Sequence, residues 1–208
     1  MSEDAKRLAA MCPVCLDLVG HTLGGPGVPD PVRETIFVLG AELSEGTGTV
    51  LDAIASIDGI KPRRIGNHVV PAMSDYDAFL RAAIPFLFYT AGRTIHYHAE
   101  TDTPDTLDYR KMAALTDHLT VLLTTFSNRS PSEGRFQPDG SDDTATIRSL
   151  REVLGLLEDL DSEEVGVALE LLDELADLAD ERSLTMGERA GLSSIVFGLE
   201  EAMSRAVG

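Results

Sequence analysis

The chain of 208 residues is long enough to bury a sizeable core as one ordinary domain, alone or with a small appendage, and 43% of it is hydrophobic, as in globular proteins. Its net charge of -18 excludes nucleic acid as a partner, because phosphate binding needs clustered Lys and Arg and only Lys61, Arg63 and Arg64 cluster. No stretch approaches the roughly 20 uninterrupted apolar residues of a membrane span, and Met1 to Cys12 lacks the apolar core of a secretory signal, so no membrane partner and a cytoplasmic location are expected.

Residues 3 to 11 are short and polar. Cys12 and Cys15 spell C-P-V-C, which fits a redox pair or half of a zinc knuckle. Two features oppose both readings: Val14 to Val19 reads as a strand, whereas a redox pair belongs at a helix N-terminus, and no second cysteine pair exists. That strand sets Asp17 within an apolar run, where a carboxylate needs a metal, a cation or backbone donors.

His21 to Pro31 is a Gly/Pro loop, and Glu34 to Gly40 is the next strand. Val50, Leu51, Ile54 and Ile57 predict a helix over 47–57 that Asp58-Gly59 ends. A strand is expected near Arg64 to Val70 and a short helix over Asp75 to Ala83. The apolar run Pro85 to Tyr89 reads as a strand buried on both faces and near the centre of a sheet. Strands alternating with helices give an α/β fold.

The loop after this strand holds His96, His98, Glu100, Asp102 and Asp105. Ligands collect at the carboxyl ends of strands in open α/β sheets, so chemistry is expected there. Leu107, Met112, Leu115, Leu119, Leu122, Leu123 and Phe126 then mark one face of a helix from about Asp108 to Ser127, its start signalled by Thr103-Pro104, Asp105 and Asp108.

Ser130 to Asp143 has the composition of a linker. It separates an α/β part, residues 1–129, from an acidic helical segment, residues 144–208. Residues 1–140 carry a net -6 and residues 141–208 a net -12. Three amphipathic helices follow in the tail, the third opened by the capping box Thr185-Met186-Gly187-Glu188. Their apolar stripes should pack together, on the sheet, or on another subunit.

The segment His98-Ala99-Glu100-Thr101-Asp102-Thr103-Pro104-Asp105, with Leu107-Asp108 and a long helix behind it, resembles the C-terminal signature of the zinc-dependent aminopeptidases of metallopeptidase clan MH, of the aminopeptidase S and aminopeptidase Y type. Cys15 to Gly20 looks like that family's strand bearing a zinc-binding aspartate, and Phe37 to Glu42 fits the next strand. The resemblance covers about residues 10 to 128. It implies a partial zinc-exopeptidase-like sheet with flanking helices. It also implies two zinc ions that polarise a peptide carbonyl and activate water, with a glutamate as general base. Asp17 would be a ligand of one zinc and His98 of the other. Asp102 would orient His98, while His96 and Glu100 are auxiliary donors.

The family's His-x-Asp segment and its Glu-Glu pair are not found upstream of Asp17, and Glu163-Glu164 and Glu200-Glu201 fall on the tail. Zinc normally wants at least three protein ligands. Two readings follow. The chain is the C-terminal portion of a di-zinc exopeptidase, acting on a peptide or aminoacyl substrate only when completed by the missing half. Alternatively, it is a degenerate, non-catalytic binding or assembly module. An exposed sheet edge would invite a second copy or a complementing chain.

Overall fold

The computed structural model describes residues 13–25, 27–54, 56–71, 74–129, 134–157 and 163–205. Cys12, and with it the C-P-V-C pair, lies outside them. The elements in chain order are β1 (Val14–Leu16), α1 (Asp30–Arg33), β2 (Thr35–Leu39), α2 (Thr47–Ala53), β3 (Lys61–Arg64), α3 (Tyr76–Arg81), β4 (Leu87–Thr90), α4 (Tyr109–Ser127), α5 (Asp143–Gly155), α6 (Glu163–Glu181) and α7 (Met186–Arg205). The α/β class and the three C-terminal helices are as expected. Among the described residues no helix is long and apolar enough to cross a membrane.

The strands form one sheet in the order β1-β4-β2-β3. β1 pairs parallel with β4, β4 antiparallel with β2, and β2 parallel with β3. β4 is therefore an interior strand. Side chains alternate across β2 and β4, so that Ile36, Val38, Leu87 and Tyr89 face one core while Phe37, Leu39, Phe86 and Phe88 face the other. Burial on both faces is why these strands read as unbroken apolar runs.

The first core is closed by α4 and α2, through Ala114, Leu115, Leu122 and Leu51. The second is closed by the tail: Ile147 and Leu150 of α5, Leu172 and Leu175 of α6, and Leu192, Val196 and Leu199 of α7 join Phe37 and Phe88 in one cluster. At roughly 1.5–3 kcal/mol for each fully buried large side chain, this contact is a main source of stability. The segment between the two parts is also engaged. Phe136 bridges to Ser44, and the Gln137 N–H donates to the Leu43 carbonyl at 2.9 Å.

Several expected boundaries move. β1 stops at Leu16, because Leu18 turns into the left-handed region at φ 57° and the chain leaves the sheet there. The strand expected at Arg64 to Val70 lies earlier, at Lys61–Arg64, and Asn67–Val69 is a 3-10 turn. Its backbone donors are claimed by side chains, Gly66 N–H by Thr146 Oγ1 at 2.7 Å and Asn67 N–H by Glu42 Oε1 at 2.6 Å. Helix α2 ends at Ala53, short of Ile57. Thr103-Pro104 opens a 3-10 turn over Pro104–Thr106, and α4 starts at Tyr109 with the Asp108 carboxylate accepting from the Lys111 N–H at 2.9 Å. The capping box at α7 forms in both directions: the Glu188 N–H meets Thr185 Oγ1 at 3.3 Å and the Thr185 N–H meets Glu188 Oε2 at 2.7 Å.

Candidate functional site

The parallel pair β1 and β4 delivers two chain segments to one end of the sheet. Asp17 is the first residue past β1, held by its own N–H on the Tyr89 carbonyl at 3.1 Å. Its half-buried carboxylate accepts from the Ser74 hydroxyl at 3.1 Å. That hydroxyl is the observed partner for the carboxylate in the apolar run. Beside it opens a cavity of about 80 Å³, walled by apolar residues such as Leu23, Phe37 and Phe88 and bordered by Asp17, Ser74, Arg93, Tyr97 and Glu200.

Past β4 the chain turns at Gly92, whose φ of 81° and close approach to the Glu200 carboxylate both favour the residue without a Cβ. Arg93 then donates to Glu200 three times, from its N–H at 3.0 Å, from Nε at 3.1 Å and from Nη2 at 2.8 Å. This bond to Glu200 raises the Arg93 pKa. The guanidinium also lies 6.0 Å from the centre of the Phe197 ring. Glu200, a residue of the helical tail, therefore stands at the carboxyl end of β4.

The sequence-predicted donors spread over the rest of the loop. His98 is exposed, sits at φ 57° and stacks on Tyr97 with ring centres 3.9 Å apart. His96 donates to or accepts from Thr101 Oγ1 at 3.0 Å and stacks on His21 at 5.5 Å. Glu100 and Asp105 are exposed. Asp102 pairs with His21 Nε2 at 3.5 Å, and no hydrogen bond joins it to His98.

His21 is the residue that the sequence reading passed over. It is buried, bonds Thr106 Oγ1 at 3.1 Å, and its pKa is lowered by burial against the opposing pull of Asp102. The available signal was its position directly after the Val19-Gly20 end of the β1 segment. Its carbonyl is fixed by Lys111, whose Nζ donates to the backbone oxygens of His21 at 3.1 Å, Arg33 at 2.9 Å and Thr35 at 2.8 Å. Burial pushes the Lys111 pKa down to about 7, yet each of its three protons meets a carbonyl, an arrangement that only the charged form completes.

Among the described residues no three His, Cys, Asp or Glu side chains are grouped so as to hold a metal ion. Asp17 accepts from Ser74, Asp102 lies against His21, and His98 lies outside the cavity lining. The donor set as folded does not fit a di-zinc centre.

Residues 29–123 match the model of a protein family described as peptidase family M28, which supports a metallopeptidase-family domain over that stretch. No curated protein and no solved structure matches the chain.

Proposed function

We propose that the α/β part of this chain is a metallopeptidase-family domain of the aminopeptidase type that does not hydrolyse peptides by itself and serves as a binding or assembly module. The observation that carries this reading is α7: Glu200 is clamped on Arg93 at the carboxyl end of β4, next to Asp17, leaving about 80 Å³ where a substrate side chain and two metals would have to fit. Ligand pockets for small molecules are typically several hundred Å³, so this space accepts little beyond a water or two.

The M28 family is generally zinc-dependent, and zinc when bound would polarise a peptide carbonyl and activate water. Asp17 and His98 are the residues that would ligate it here, with His96 and Glu100 as further donors. In the fold these carboxylates and imidazoles are spent on Ser74, Thr101 and ring stacking instead. The Arg93–Glu200 clamp holds the tail over the cleft.

Calorimetric titration with zinc, beside an assay on aminoacyl anilides, tests this. Weak zinc binding little changed by His98→Ala, with no turnover, is expected. Tight binding of two zincs, or turnover abolished by His98→Ala, overturns it.

One observation favours the second reading, a C-terminal portion completed by another chain. β1 is an edge strand of the described sheet, and Leu16 on it is exposed. Aminopeptidase activity restored by adding a polypeptide that supplies the His-x-Asp and Glu-Glu segments would decide for it.

A further inference from the structure

At the opposite edge of the sheet, β3 carries the basic run Lys61-Pro62-Arg63-Arg64, the cluster that the metallopeptidase likeness leaves without a role. This edge is not open to another strand. Lys61 and Ile65 donate to β2, so Pro62 and Arg64 face outward; Pro62 has no N–H, and the Arg64 carbonyl accepts from Ser149 of α5 at 2.7 Å. Along it runs a cavity of about 550 Å³ between α5 on one side and α2 with the segment after it on the other. Cavities of a few hundred Å³ are the size that small molecules occupy.

The walls differ in chemistry. Leu51, Ile54 and Ile57 supply an apolar side, while Lys61, Arg63, Arg64 and Arg148 supply four cations. Two cations are already answered: Arg63 by Glu152, and Arg64 by Asp52 at 3.0 Å and Asp142 at 2.9 Å. Lys61 and Arg148 close no ion pair among the described residues. On a chain of net charge -18, two cations that close no ion pair in one cavity, Arg148 within electrostatic reach of Asp142, make a local excess of positive charge.

Deeper in the cavity stands His118, 3% exposed, with Nε2 on the Tyr89 hydroxyl at 3.0 Å. Its other ring nitrogen has no partner among the described residues, although the ring lines the cavity. A buried imidazole normally satisfies both nitrogens. That nitrogen is not sealed in, so it is open to water or to a group that enters the cavity.

We propose that this cavity binds a small organic anion, its carboxylate or phosphate held by Lys61 and Arg148, its apolar body against Leu51, Ile54 and Ile57, and a polar atom meeting His118. The site is separate from the cleft at Asp17, since the two cavities share no lining residue. Glu152 and Asp52 repel an anion that approaches the paired arginines, which directs the charge toward the two unpaired cations.

The test is calorimetric titration of the full chain with phenyl phosphate, benzoate, inorganic phosphate and benzyl alcohol, at low and high salt. The organic anions are expected to saturate one site at about 1 mM or tighter, to weaken with salt, and to shift the His118 imidazole signals in NMR spectra. Inorganic phosphate and benzyl alcohol should bind at least tenfold more weakly, because each offers only half of the recognised chemistry. Lys61→Ala with Arg148→Ala changes two exposed residues, leaves the fold intact by circular dichroism, and should weaken the organic anions by about tenfold or more. The proposal fails if no organic anion saturates, if the double substitution leaves affinity unchanged, if inorganic phosphate binds as well as phenyl phosphate, or if benzyl alcohol binds as well as benzoate.

Discussion

Glu42, just past β2, shows how much one buried carboxylate governs. Its Oε1 accepts from the Asn67 N–H, its Oε2 is buried without a partner among the described residues, and burial raises its pKa to about 7. Below pH 4.5 the group is protonated folded or unfolded. Between 4.5 and 7 only the folded chain keeps the proton, so stability falls as pH rises, by on the order of 3 kcal/mol at most. Glu42→Gln keeps the acceptor without the charge. Urea unfolding at pH 5 and pH 8 should show the variant gaining on the wild type at the higher pH, and parallel profiles would refute this. Lys111 matters through its protons, which three backbone carbonyls accept although burial disfavours its charge. Lys111→Met strands three backbone carbonyls and should cost about 3 kcal/mol, with faster hydrogen exchange around His21. Neither role was legible in the sequence, since a lysine or glutamate in an amphipathic pattern reads as solvated until the loops that cover it are known.

Among the elements, α7 does the most unexpected work. Its apolar stripe, Leu192 to Met203, was legible because a 3.6-residue period needs no partner to be recognised. What the stripe faces was not. Glu200 borders the stripe, and whether a flanking carboxylate meets water or Arg93 depends on a contact between residues 107 positions apart. Glu200→Ala should therefore accelerate hydrogen exchange at Arg93 and along the end of α7 while leaving α4 unchanged. Equal protection in wild type and variant would show that the clamp contributes nothing. β3 escaped for another reason: an edge strand of Lys, Pro and Arg has neither the alternation nor the apolar run that marks a strand, whereas β2 and β4, buried on both faces, carry that run plainly. In the loop after β4 the pairing was not legible: Asp102 meets His21, a residue 81 positions earlier, where His98 was expected.

At the scale of the molecule, the sheet and the tail share a core. Leu150→Ala, which opens a hole in the core that α5 shares with Phe37 and Phe88, should cost about 2–5 kcal/mol and lower one cooperative unfolding transition, as read by both near- and far-ultraviolet dichroism. Limited proteolysis between Ser130 and Asp143 should yield two fragments that still migrate together on a sizing column; fragments that separate would mean two independent cores. The shared core also governs how the protein comes into being. Leu23 and Gly24 near the start of the chain are covered by Leu199 and Met203 near its end. A ribosome that has made β1 to β4 has therefore made a sheet with one bare face, and that face stays open to stray partners until α7 emerges. Folding of that face can finish only after α7 has left the ribosome, so the sheet and its cover are separated in time as they are in sequence.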